Sequence, residues 1–517
     1  MKKILTLFAV MLVVLTASAQ TLNITVGNVT YQFPASQTGD MTFSGGNTVT
    51  IMGKAFKLND VNSIIVDNTE VTDGTVGVVY EGSSAKVFVA GNIAQYINPS
   101  IRGAHVSIDQ SSSLEEEVTY TLSGSSSDGE FYATGYYKST VELNGLTLTN
   151  SSPVYSGAAV CIQNGKRIKV KVITGTTNTL VDAANGSQKG CLYIKGHAEF
   201  AQKGTLNVKG NVKHAIKTGE YFSIKNATIN VTSAVGDGIS CNEYFLMESG
   251  TINISGVEDD GIQCEIDGDS PTGETTDHED EDSGNIYISG GDINIACTAA
   301  STNGIKSDGA ITISDGNINV SSTGNKGEGV ECENSLKISG GHVTINSYDD
   351  AINTGQDITI SGGYVFARST NNDGIDANGD CYIKGGVVYA IGGAEPEVAI
   401  DANSEDRKKL YVQGGTVIAV GGIEKGASIS GGTCMSTTSW TANSWHALYS
   451  GSNLALAFQT PSKPSGRGGN QQLVVYTSST PSLQSGVSVS GGTAYFGGMA
   501  NVGGTVSGGS SVNLNNW

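Results

Sequence analysis

Apolar and polar residues alternate in short runs along the middle of the chain. Over residues 357–379 the pattern is explicit. Asp357-Ile-Thr-Ile-Ser361 alternates, Gly362-Gly363 breaks the run, and Tyr364-Val-Phe-Ala-Arg-Ser369 alternates again. Thr370-Asn-Asn-Asp373 makes the next break, and Gly374-Ile-Asp-Ala-Asn378 closes the cycle. A period of two with β-branched residues at the apolar positions predicts strands, and the Gly and Asn breaks predict tight turns. Each cycle therefore holds three short strands.

The cycle repeats. Its most regular phrase is an acid or Asn, then Gly or Ala, then Ile or Val: Asp237-Gly238-Ile239, Asp260-Gly261-Ile262, Asn303-Gly304-Ile305, Glu328-Gly329-Val330, Asp350-Ala351-Ile352 and Asp373-Gly374-Ile375. Successive apolar anchors are 23, 43, 25, 22 and 23 residues apart, the 43 being one period plus an insertion of about 20 residues. Less regular coils anchor at Val160, Leu192 and Ile216, and a last one at Ile400. A period of this size marks a solenoid whose repeats bury their apolar faces against one another. The expected fold is all-β: a right-handed parallel β-helix of three strands and about 23 residues per coil. The expected domains are a signal peptide over 1–19, a small N-terminal β module over 20–110, the β-helix over 111–425, and a C-terminal β-rich cap over 426–517.

The period assigns slots. Two residues after the anchor stand Thr218, Cys241, Cys264, Ser307, Cys332, Thr354 and Ala377, all small, as an inward stack requires. The cysteines in this slot read as buried thiols acting as small hydrophobes, with a Cys241–Cys264 bridge between neighbouring coils as the alternative. Before the anchor, Asp237, Asp260, Glu328, Asp350 and Asp373 fall into one row, extended by Asp259 and Asp349. Just after it, Glu331, Asn353, Asp376 and Asp401 form a second. Coil spacing puts row neighbours about 5 Å apart. Carboxylates that close raise one another's pKa unless a cation lies between them. Calcium, with six to eight oxygen ligands, suits such rows. The expected ligands are Asp237, Asp259, Asp260, Glu328, Glu331, Asp349, Asp350, Asp373, Asp376, Asn378 and Asp401, with the group from Asp349 to Asp401 the best single site. A solvated acidic edge is the plain alternative.

Composition adds three points. The 517 residues include 70 Gly and carry a net charge of −20, so no nucleic acid partner is expected. Lys2 and Lys3 precede an apolar run from Ile4 to Leu15 and the small-residue site Ala17-Ser18-Ala19, so export through a signal peptide is expected, to the periplasm, cell surface or medium. No later segment is apolar enough to span a membrane, and a monomer is expected. Charge is also polarised. Residues 160–230 hold eleven Lys or Arg against three acids, whereas residues 237–285 hold fifteen acids and no Lys or Arg. Such a chain could hold an anionic polymer directly through the basic section and through cations at the acidic one. The acidic stretch at 266–284 reads equally as a calcium loop and as a charged loop without structure.

The phrases Glu328-Gly-Val-Glu331, Tyr348-Asp-Asp-Ala-Ile-Asn353 and Asn372-Asp-Gly-Ile-Asp-Ala-Asn378 resemble those of exported bacterial carbohydrate-binding β-helix proteins with a pectate-lyase-like fold. The resemblance covers roughly residues 140–425, and the signal peptide ending and N-terminal module are similar to those of gut Bacteroidetes proteins. It implies a calcium-binding β-helix that binds polysaccharide, acidic sugars included, without established catalysis. Ala351, where the family prefers Gly, is a departure.

On the outer face of the second strand, Asn230, Asn253, Asn294 and Asn319 give way to Thr344, Phe366, Tyr389 and Ile418. Outward aromatics are either covered or used. Tyr364, Phe366 and Tyr389, with Arg368 beside them, form a candidate sugar-stacking platform. The plain alternative is that the C-terminal segment packs over them. The functional reading is a non-catalytic, calcium-dependent carbohydrate-binding protein. A pectate-type lyase, with Lys217, Lys306 or Arg368 as base, and a structural adhesin are the alternatives.

Overall fold

Ile239 pairs with Ile262, Ile262 with Ile305, Ile305 with Val330, Val330 with Ile352 and Ile352 with Ile375, each in parallel register and each fully buried. The anchors of the sequence period are thus an inward stack of apolar side chains, one per turn. The small-residue slot follows in the same register, Cys241 beside Cys264, Cys264 beside Ser307, Ser307 beside Cys332 and Cys332 beside Thr354. All eight cysteines are buried free thiols.

The Gly before each anchor has a steric cause. A methyl group on Gly329 would lie 2.4 Å from the carbonyl oxygen of Ala351 in the next coil and 2.1 Å from a methyl of Ile345. At Gly329 the stacked coils leave no space for a side chain, whereas the equivalent position of the next coil holds the small Ala351. The Gly-Gly turns have a conformational one: Gly363 and Gly386 sit at φ +79° and +78°, where a Cβ is strained.

This computed structural model describes residues 20–517, except Asp40, Asp267, residues 269–280, Glu395 and residues 464–470. The signal peptide and most of the acidic insertion therefore lie outside the described residues. The protein is all-β, a parallel β-solenoid of about twelve turns over residues 104–420 with an N-terminal sheet module and C-terminal strands. The chain divides into two units, Met1–Asn230 and Val231–Trp517.

In the first unit, Thr21–Val26 pairs antiparallel with Val29–Pro34 and with Ser63–Asp67, as expected of the N-terminal module. Parallel pairing begins earlier than the period indicates. Ala104–Gln110 pairs in parallel with Gly129–Thr134, and Gly129–Thr134 with Val160–Gln163. The solenoid therefore starts at residue 104, inside the segment assigned to the module. These early coils escape the period because their connections differ in length.

In the second unit the coils run on past Ile375 to bridges at Ile400 and Ile423. Leu473–Thr477 then pairs antiparallel with Thr416–Val420 and ends the parallel stacking on that face. A further antiparallel sheet, built on Trp445–Ser450 and Asn453–Gln459, packs on the outside of the last coils. Tyr389, Ile418, Leu448, Leu456 and Phe458 form one apolar cluster there, each fully buried. That packing explains the change in outer-face chemistry. Where the face is open, Asn294 donates to Asn253 at 2.9 Å and Asn319 to Asn294 at 3.1 Å, making an amide ladder. Where the C-terminal sheet covers it, the same register position is Phe366, Tyr389 and Ile418.

Candidate functional site

The first carboxylate row braces the coils. Asp237 Oδ1 accepts the backbone N–H of Asp260 at 3.1 Å, and Asp260 Oδ1 that of Asn303 at 2.7 Å. Asn303 Oδ1 accepts the N–H of Glu328 at 3.0 Å, Asp350 Oδ1 that of Asp373 at 2.7 Å, and Asp373 Oδ1 that of Val398 at 2.5 Å. Each acid or amide thus holds the equivalent residue of the next coil. Asp350 has its second oxygen engaged as well, by Asn372 Nδ2 at 3.1 Å. Its place in the row is structural first.

Burial acts strongly on these groups. Burial, then the charge of Asp376, push Asp350 up to about 9. Burial pushes Asp260 up to about 7, and burial followed by Glu331 pushes Glu328 up to about 7. Glu328 Oε1 accepts from Asn353 Nδ2 at 3.1 Å, while its Oε2 is buried with no hydrogen-bond partner among the described residues. Glu331 receives Asn303 Nδ2 at 2.5 Å and pairs with Lys306 at 3.5 Å. Asp349 is half-buried one residue before Asp350.

The two rows converge at one place, Asp373 from the first and Asp376 and Asp401 from the second. Carboxylate oxygens of Asp373, Asp376 and Asp401 lie within 4.8 Å of one another. Two oxygens bound to one calcium at about 2.4 Å can be no more than about 4.8 Å apart, so this spacing admits one shared ion. The donor set is hard oxygen, which suits calcium. Burial, then Glu397, raise Asp376. Burial, then a hydrogen bond with Glu424, raise Asp401. Glu424 follows the bridge residue Ile423, 23 residues after Asp401. The period extended by one turn would have found it. Asn378 Nδ2 donates to the Thr354 carbonyl at 3.1 Å.

Asp373, Asp401 and Glu424 line a cleft of about 640 Å³ together with Glu397, Glu405, Lys425 and Trp517. Trp517 gives the cleft an aromatic wall that periodicity could not indicate, since it lies outside the coils. A second carboxylate triad, Asp237, Asp259 and Asp260, also falls within 4.8 Å, with Asp259 exposed and the other two buried.

The aromatic platform is corrected by the structure. Phe366 is 2% exposed and Tyr389 0% exposed, both under the C-terminal sheet. Phe366 stacks on Phe496 at 5.5 Å, and the Tyr389 hydroxyl donates to the Gln459 carbonyl at 2.7 Å. Neither ring can meet a sugar. Tyr364 is half-buried with one face stacked on Tyr495 at 4.2 Å, and Arg368 is half-buried in the same strand. Of the residues considered as a lyase base, Lys217 is buried in the first unit. Lys306 holds its proton: burial lowers its pKa, but Glu331, Asp260 and Asp308 outweigh it and keep the ammonium above the usual range. A base must do the reverse.

A family model described as carbohydrate-binding domain-containing protein matches residues 103–374, just over half of the chain. The chain belongs to this carbohydrate-binding domain family. No curated protein matches it. Among solved structures, the polysaccharide lyase-like protein from C. thermocellum, a gadolinium derivative, is similar at 21% identity and a TM-score of 0.39, over 51% of this chain and 96% of that one. No helix among the described residues is long and apolar enough to cross a membrane.

Proposed function

We propose that this protein is an exported, non-catalytic carbohydrate-binding protein that holds uronate-containing polysaccharide at the carboxylate cleft of its second unit, through calcium. The observation that carries the reading is the convergence of Asp373, Asp376 and Asp401 at a cleft walled by Trp517. So many carboxylates at one place repel one another, and a divalent cation removes the repulsion. An anionic sugar cannot approach bare acids, whereas a calcium ion held by three carboxylates keeps open positions for a uronate oxygen. Trp517 offers a ring face for the apolar side of a pyranose. Membership in a carbohydrate-binding family supports the ligand class.

The test is affinity electrophoresis in gels containing a uronic-acid polysaccharide or a neutral one, with calcium and with chelator. Calcium should strengthen retardation by the acidic polymer, and Asp376→Asn with Asp401→Asn should remove that increment. Retardation that ignores both calcium and these substitutions overturns the reading.

A further inference from the structure

The first unit carries a groove with different chemistry. Parallel register sets Thr134 beside Gln163, and the Lys195 backbone N–H donates to the Ile162 carbonyl at 2.9 Å, so three coils meet at one place. Thr134, Tyr136, Gln163, Asn164, Lys166 and Lys195 line a groove of about 370 Å³. Tyr136 is 61% exposed, so its ring is accessible at the groove. Lys195 is exposed and Lys166 half-buried.

The walls are fixed. The buried Asn164 side chain donates to the Tyr137 carbonyl at 2.8 Å and accepts the Lys166 N–H at 3.0 Å, tying the two lining loops together. Gly135 packs close against both neighbouring coils. A methyl group there would lie 2.8 Å from Asn164 Nδ2 and 2.9 Å from Gln110 Oε1. Gln110 is 1% exposed, and neither atom of its amide has a hydrogen-bond partner among the described residues. A buried amide without partners is costly unless water or a ligand satisfies it. It lies behind Gly135, which lines the groove.

We propose that this groove is a calcium-independent subsite for a uronate residue, with Tyr136 stacking on the pyranose and the Lys195 ammonium group pairing with its carboxylate, Lys166 adding positive charge to the lining. Gln163 supplies an amide, the Thr134 hydroxyl, which donates to Asp109 Oδ1, is left to accept from a polyol, and the volume lies within the range of small-ligand pockets. The groove falls inside the region matched by the carbohydrate-binding family. A basic groove takes an acidic sugar directly, whereas an acidic cleft needs an intervening cation. The inference rests on the carbohydrate-binding reading above and adds a second mode of contact to it.

The test is calorimetric titration of the full chain in chelator with trigalacturonic acid and with its methyl ester. The acid should bind, and the ester at least about tenfold more weakly. Tyr136→Ala and Lys195→Gln should each weaken binding at least about tenfold, and Lys195→Arg should restore it. Both positions are exposed, so unchanged melting curves will show that the variants fold. Equal binding of acid and ester, or affinity unmoved by Tyr136→Ala and Lys195→Gln, overturns the subsite. So does a chelated protein that does not bind while calcium restores binding sensitive to Asp376→Asn, and in that case the calcium cleft stands. Absence of binding under both conditions overturns both readings.

Discussion

Asp350 Oδ1 accepts the backbone N–H of Asp373, 23 residues further on, at 2.7 Å, with Asp350 only 4% exposed. The bond joins equivalent positions of successive coils, and the same bond recurs from Asp237 to Asp260 and from Asp260 to Asn303. Removing the acceptor leaves a buried N–H without a partner, at a cost of about 1–3 kcal/mol. Asp350→Ala should therefore destabilise the second unit by about that amount. Asp350→Asn, which keeps an oxygen acceptor, should cost less. Denaturant melts in chelator check this. Equal losses for the two variants would deny the brace.

Calcium should raise the melting temperature of the wild type. At a free concentration of about one hundred times Kd the stabilisation is about 2.7 kcal/mol. Asp376→Asn and Asp401→Asn should abolish most of the shift, since each removes a charge from the convergent group. Asn378→Ala should leave it unchanged, because that side chain faces the Thr354 carbonyl. Melting curves with graded calcium decide the matter.

The buried acids set a pH dependence. In the folded protein Asp350 titrates near 9, and Asp260 and Glu328 near 7, all raised first by burial. In the unfolded chain they titrate near about 4. Between those values the folded state binds more protons than the unfolded one, so stability falls as pH rises. Without metal, the protein should be most stable near pH 4 on account of these groups and lose that stability progressively up to pH 7 for Asp260 and Glu328 and pH 9 for Asp350. Melting temperature against pH in chelator tests the sign. A profile rising through this range would contradict it.

Phe366 and Tyr389 should behave as core residues. Phe366→Ala opens a cavity under the C-terminal sheet and should cost about 3–5 kcal/mol. Tyr389→Phe loses only the hydroxyl bond to Gln459 and should cost about 1 kcal/mol. Both variants, assayed where they remain folded, should retain glycan binding. A binding loss in Tyr389→Phe without a stability loss would make the Tyr389 hydroxyl a sugar contact and contradict its burial under the sheet.

The coils of the second unit were legible because one period of apolar anchors and small inward residues runs from Ile239 to Ile375 with every member buried. The first coils, at Ala104–Gln110 and Gly129–Thr134, were not, since their connections vary and no phrase repeats. The acids were found, but their division of labour was not. Whether an aspartate braces a coil or faces a cleft depends on where the second oxygen points, as Asp350 and Asp401 show. Phe366 and Tyr389 were recognisable as outward, while what covers them, Phe458 and Phe496, comes from a segment with no period. The groove at Tyr136 is built from three turns about 30 residues apart, and no repeated phrase marks it in the sequence.

The most direct measurement is affinity electrophoresis of wild type and the Asp376→Asn, Asp401→Asn double variant in a uronic-acid polysaccharide, with calcium and with chelator, while absorbance follows unsaturated uronate. Calcium should strengthen retardation of the wild type, add nothing for the double variant, and release no product. A calcium increment retained by the double variant would contradict the site, and accumulating unsaturated product would contradict the non-catalytic reading.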